Sequence, residues 1–190
     1  MTPCCCGTCD HDRMPALDIP FGLPLTADQF EKIPWVEGLR LELWDGNLDV
    51  SASIQIAWHG LVKRRIANVL ESEAQDANTG IGVVLSDRTV REPDVTRFRP
   101  CVRPELRRSQ FPVADVDLVV EIVSPESESR DRKIKPDEYA AAGIPEYWLA
   151  EQHPDDVNDA MINIYRLTPS RTYGLVRAVA LSALEHPIEE

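Results

Sequence analysis

The sequence predicts an α/β or α+β domain, a mixed sheet with helices packed against it. Three stretches carry that expectation. "DLVVEIV" (117–123) is an apolar run of strand length, the pattern of a strand buried on both faces. "LRLELWDGNLDVSA" (39–52) alternates apolar and polar residues around Asp45-Gly46, the signature of a β-hairpin. "HGLVKRRIANVLESE" (59–73) places Leu61, Val62, Ile66, Val69 and Leu70 at helical spacing on one face.

The remaining elements follow in order. "TADQFEKI" has Thr26 as N-cap and Gln29 three residues on, a capping-box pattern, so a short helix starts there and stops before Pro34. Residues 81–87 read as a strand. "REPDVTRFRP" reads as a second strand, entered through Pro93. "PELRRSQ" is a loop or a turn of helix. The central strand spans 115–123. "RDRKIKPDEYAAAG" reads as a helix closed by Gly143, and Pro136 suits a first turn, which puts the helix start near Lys135. "EYWLAE" is another buried strand, and "MINIYRLT" and "YGLVRAVA" form a terminal antiparallel pair. Residues 1–20 are a proline-bearing tail with little apolar pattern and are expected to be disordered, which leaves one domain over 21–190.

Composition narrows the function classes. The chain has 190 residues, 43% of them hydrophobic and 27% charged, enough for one domain with a full core. No apolar run reaches the length of a membrane span, and the N-terminus lacks a basic start followed by an apolar block, so the expected compartment is the cytoplasm. A net charge of −12 speaks against a general affinity for nucleic acid. The charge is uneven, however. Between Arg88 and Arg108 seven arginines stand against three acidic residues, and Lys63-Arg64-Arg65 and residues 130–135 add further bases. These segments are either solvated loops or the basic margin of a guarded nucleic-acid site. Four of the five cysteines crowd residues 4–9. Cys6-x-x-Cys9 has metal-ligand spacing but no second pair downstream, so a structural zinc site lacks half its ligands.

The residues with chemical promise are acidic and basic. Glu121 lies inside an apolar strand, where an unpaired carboxylate is costly by several kcal/mol, roughly. Asp94, in Glu92-Pro93-Asp94-Val95, opens the preceding strand, and Lys133 and Lys135 come shortly after Glu121. Two carboxylates on neighbouring strands repel unless a cation neutralises them, and oxygen ligands suit Mg²⁺ or Mn²⁺. Each residue also has a plainer use. Glu121 can sit in a structural ion pair with a buried arginine, Asp94 in a turn after Pro93, and Glu42 on a surface strand. His59 can begin a helix, Lys135 can be solvated and Asp131 can cap a helix. Tyr139, Tyr147 and Trp148 read as core.

Taken together, "EPDV", "DLVVEIVSPES" and "RDRKIKPDEYAAAGIPEYWL", with "LELWDGNLDV" and His59, resemble the Uma-two family of putative restriction endonucleases, grouped with the PD-(D/E)XK nuclease superfamily. The resemblance covers roughly residues 25–180. It implies a restriction-endonuclease-like mixed β-sheet flanked by helices and a Mg²⁺- or Mn²⁺-dependent endonuclease acting on DNA. Asp94 and Glu121 match the family's metal-binding acids. The superfamily lysine stands two residues after the second acid, and that position here is Val123. The resemblance moves the lysine to Lys135, with Lys133 as the alternative. Glu42 matches the glutamate before the hairpin, a further metal or water ligand, and His59 matches the family's histidine. A homodimer would suit double-strand cleavage. A non-catalytic nucleic-acid-binding or protein-interaction module on the same fold is the second reading, favoured by the broken lysine spacing and the acidic net charge, and cleavage of RNA or of a branched structure is the third.

Overall fold

The computed structural model describes residues 23–34, 36–52, 56–72, 75–124 and 128–186. The cysteine-rich segment 1–20 lies outside the described residues. Eleven strands are seen among them: β1 (Leu39–Trp44), β2 (Asn47–Ala52), β3 (Ala77–Asn78), β4 (Gly82–Ser86), β5 (Thr89–Arg91), β6 (Val95–Phe98), β7 (Gln110–Pro112), β8 (Val116–Ile122), β9 (Glu146–Gln152), β10 (Ala160–Leu167) and β11 (Tyr173–Ala180). The helices are α1 (Ala27–Phe30), α2 (Ala57–Leu70), α3 (Lys135–Ala142) and α4 (Leu181–Glu185). The strands form two mixed sheets, ordered β2-β1-β5-β4-β7 and β11-β10-β9-β8-β6-β3. None of the described helices is long and apolar enough to cross a membrane.

The Asp45-Gly46 hairpin forms as the turn chemistry demands. Asp45 (φ 45°) and Gly46 (φ 79°) both take positive φ, the requirement of a two-residue turn that follows the strand twist. Six register pairs follow, from Trp44↔Asn47 to Leu39↔Ala52. Gly46 has a second reason to lack a side chain, because a Cβ there would lie 2.4 Å from the Pro24 Cβ. The Gly46 carbonyl accepts from the Leu25 N–H at 2.8 Å, so the turn also anchors the strap leading into α1. Gly46→Ala is expected to cost about 2–4 kcal/mol from the backbone conformation and the clash together. A thermal melt should register this as a fall of about 5–15 °C.

One sequence expectation is corrected at "REPDVTRFRP". The stretch is two strands in two sheets, not one. Arg91 ends β5, which folds back on β4, whereas Val95 begins β6, which pairs with β8. Pro93 has no N–H to extend a ladder, and the chain crosses from the first sheet to the second over Glu92-Pro93-Asp94. "PELRRSQ" carries no helix, and β3, β7 and α4 were not anticipated. The Thr26–Gln29 capping box is present. α3 does begin at Lys135, but a π-helical turn, Arg130–Ile134, runs directly into it.

β8 is buried except at Asp117, which is partly exposed, and separates two apolar clusters. Leu118, Val120 and Ile122 pack with Val62, Ile66 and Leu70 of α2. Val119 faces the other way, with Tyr139 of α3 and with Tyr147 and Leu149 of β9. Strand alternation puts Glu121 on the Val119 face, under α3. Fixing α2 on one face and α3 on the other brings their N-terminal turns to the same end of β8.

Candidate active site

Asp94 stands just before β6, in line with the register Val95↔Val120. Its N–H donates to the Val120 carbonyl at 2.9 Å, and its Oδ2 accepts from the Ile122 N–H at 2.8 Å. The carboxylate is therefore clamped beside Glu121 by main-chain bonds. From α2, His59 Nε2 lies 3.4 Å from Asp94 Oδ2, and Lys63 Nζ lies 3.1 Å from Oδ1. From α3, Lys135 Nζ lies 3.1 Å from Glu121 Oε2 and 3.7 Å from Glu42 Oε1. From the hairpin, the Arg40 guanidinium reaches Glu42, Asp94 and Glu121 at 3.6, 3.9 and 3.7 Å.

All five residues singled out from the sequence, Asp94, Glu121, Lys135, Glu42 and His59, are buried in this one cluster. Several plainer readings are corrected by that placement. Glu42 is not a surface strand residue; its Oε1 accepts from the Glu92 N–H at 3.0 Å and its Oε2 from Arg91 Nη1 at 3.1 Å. Asp131 does not cap a helix; it is buried, 3.2 Å from Lys135 Nζ. Lys135 is not solvated, whereas Lys133, the alternative lysine, is exposed. Tyr139 is core in its ring, yet its hydroxyl donates to Glu121 Oε1 at 2.6 Å.

The margin arginines are mostly committed elsewhere. Arg91 is held by Glu138 at 2.7 and 2.9 Å as well as by Glu42. Arg97 pairs with Asp117, Arg103 with Asp76 and Arg88 with Asp45, and Arg99 donates to the Ala114 carbonyl. The stretch from Arg88 to Arg108 is therefore largely a set of internal pairs rather than a free basic face.

Burial raises the Asp94 carboxyl, but His59, Arg40 and Lys63 more than offset this and hold it far below the usual carboxylate range. For Glu121 burial wins. Lys135 and Arg40 favour the anion, Asp131 and Asp94 oppose it, and the result is pushed up to about 7. Glu42 ends lowered, because Lys135, Arg40 and Arg91 outweigh its burial. Lys135 ends raised, because Glu121 and Glu42 outweigh the desolvation that would neutralise it. The site thus contrasts a firmly ionised Asp94 with a Glu121 that titrates near neutrality.

Asp94 Oδ1 and Glu121 Oε2 are buried without a hydrogen bond, and both lie within ion-pair reach of Arg40. Two hard oxygens turned toward a shared cation fit Mg²⁺ or Mn²⁺, which bind through one or two carboxylates and take the rest of their shell from water and substrate phosphate. Among the described residues, no group of three or more His, Cys, Asp or Glu side chains is placed to hold a metal by itself.

Sequence reasoning missed Arg40 and Lys63, although both had a readable signal. Arg40 is two residues before Glu42 on the same strand face. Lys63 is one helical turn after His59.

Residues 27–188 match the family described as "Uma2: Putative restriction endonuclease". The chain belongs to this family. Its fold is similar to that of a putative nuclease belonging to DUF820 from Anabaena variabilis ATCC 29413. That match has a TM-score of 0.60 and 20% sequence identity, and covers 83% of this chain and 84% of the other. No curated protein matches the chain.

Proposed function

We propose that this Uma2 member is a metal-dependent endonuclease that hydrolyses phosphodiester bonds in DNA, with Asp94 and Glu121 as the metal ligands. The observation that supports it most is the pair of buried carboxylates from neighbouring strands, each with an oxygen that meets only cations, Lys63 at Asp94 and Lys135 at Glu121, both at 3.1 Å. A bound Mg²⁺ or Mn²⁺ supplies a water of lowered pKa and charge stabilisation at a phosphoryl oxygen. The chain's own residues do the positioning. Main-chain bonds fix Asp94, and the Tyr139 hydroxyl fixes one oxygen of Glu121, leaving the other to turn toward the cation. Lys135 stays protonated between Glu121 and Glu42, so it acts as a donor to the attacking water or to a phosphoryl oxygen, not as a base. His59 and Lys63 hold Asp94 from the other side.

The second reading, a non-catalytic binding module, is supported by Arg40, Lys63 and Lys135, which together already pair both carboxylates without a metal. Supercoiled plasmid separates the two. The nuclease reading expects nicked and linear products with Mg²⁺ or Mn²⁺ and none with EDTA. Intact plasmid and intact single-stranded DNA at high enzyme and with both metals, with retained DNA binding, would establish the second reading. Sedimentation in the same buffer tests whether the active form is a homodimer.

A further inference from the structure

Alternation along β1 turns Leu41 and Leu43 into the apolar core and leaves Arg40, Glu42 and Trp44 on the site face. Arg40 and Glu42 reach the acidic cluster. Trp44, two residues beyond Glu42 and so about 7 Å along the strand, stays 52% exposed. It lines a cleft of about 350 Å³ with Asn47, Leu48, Ile134, Arg130 and Arg91. That volume is at the small end of ligand sites. The cleft shares its Arg91 wall with the catalytic cluster, because Arg91 donates to Glu42. At the rim, Arg130 pairs with Asp49 at 2.7 Å, and both side chains are more than a third exposed. Water screens such a pair, so the guanidinium can exchange Asp49 for another anion.

We propose that this cleft takes an unstacked nucleobase next to the scissile phosphate, with Trp44 as the stacking platform and Arg130 on the adjoining phosphate. The inference rests on the nuclease reading and deepens it by naming the substrate class. A half-exposed indole about 7 Å along β1 from Glu42 of the acidic cluster, with an aliphatic side chain and a cation in the same cleft, supplies the parts of a single-strand site: base–aromatic stacking with backbone neutralisation. A base held inside a duplex cannot present its face to Trp44. The favoured substrates therefore carry an unpaired base at the cut, as a single strand, an overhang or a branch. Stacking tolerates any base, so the cleft gives no sequence preference.

The test is binding of a fluorescein-labelled ten-nucleotide thymidine oligomer to the full chain by anisotropy, in low salt with EDTA. The comparison probes are an abasic oligomer of the same length and a blunt duplex of ten base pairs. Wild type should bind the thymidine oligomer about tenfold or more tightly than the abasic one. Trp44→Ala should erase that difference by weakening the thymidine oligomer alone, and Trp44→Phe should restore most of it. Arg130→Ala should weaken both single-stranded probes alike. The inference is overturned if Trp44→Ala binds the thymidine oligomer like wild type, if it weakens both single-stranded probes equally, or if wild type prefers the duplex. Far-UV circular dichroism controls for folding. Cleavage is scored separately: Trp44-dependent binding without cleavage in either Mg²⁺ or Mn²⁺ would sink the nuclease reading and leave the base subsite standing.

Discussion

Glu121→Gln should abolish cleavage and, in metal-free buffer above neutrality, make the protein more stable. The substitution keeps shape and an acceptor for the Tyr139 hydroxyl and removes the charge. The folded carboxyl is pushed up to about 7 from the ordinary 4.5, with burial as the first cause. Between those two values the folded state holds a proton that the unfolded state has lost. Stability therefore falls as pH rises through that window, and the full penalty is present above it. Glutamine does not titrate. In EDTA the melting temperature of Glu121→Gln should exceed that of wild type at pH 8, by an amount equivalent to about 1–3 kcal/mol, and the gap should close towards pH 5. Cleavage should drop at least a hundredfold or so, and calorimetry should show weakened Mg²⁺ binding. Asp94→Asn should match it in activity but not in the stability profile, because Asp94 is stabilised as an anion and its variant should lose stability at every pH from 5 to 8. A Glu121→Gln variant that cuts plasmid at the wild-type rate would remove Glu121 from the metal site.

The parts of this fold that were readable in advance are those fixed by local chemistry. Asp45-Gly46 could only be a tight turn, Thr26 with Gln29 could only help to begin a helix, and Gly143 ends α3 with φ 87°. Strand β8 was readable because its apolar run has strand length, and the glutamate inside it was conspicuous for the same reason. What resisted reading depends on which elements meet. "TVREPDV" has the composition of one interrupted strand; only tertiary pairing reveals that Pro93 marks a change of sheet. Asp131 looked like a cap because a carboxylate before a helix normally is one, whereas the π-helical turn continues the helix backwards and buries it. The arginines from Arg88 to Arg108 read as solvated loops or a basic margin, not as internal pairs, because their acidic partners, Glu42, Asp45, Asp76, Asp117 and Glu138, come from other parts of the sequence. Arg40 escaped notice for a related reason: a cation beside Glu42 reads as a surface pair until β6 and β8 bring Asp94 and Glu121 to it.

Lys135→Ala should be the most destabilising single change at the site, before any question of catalysis. The ammonium is buried within 4 Å of Glu121, Glu42 and Asp131. Removing one partner of a buried charge group costs about 3–5 kcal/mol, because the remaining charges stay buried without compensation. For a chain of this size that is a fall of roughly 6–20 °C in melting temperature. The sign of the pH dependence follows from what is left behind. Lys135 is the largest influence holding the Glu121 carboxyl down against burial. Without it the folded carboxyl rises further, the window in which the folded state alone holds the proton widens, and the deficit grows from pH 5 to pH 8. Two rescues should separate this electrostatic account from simple loss of packing. Glu121→Gln in the Lys135→Ala background should recover part of the stability, a non-additivity of about 1–3 kcal/mol in a double-mutant cycle. Lys135→Met, which refills the space without the charge, should recover little at pH 8 and more at pH 5. If methionine restores the melting temperature equally at both values, Lys135 is there for its carbon chain, and its ammonium is not what balances the buried carboxylates.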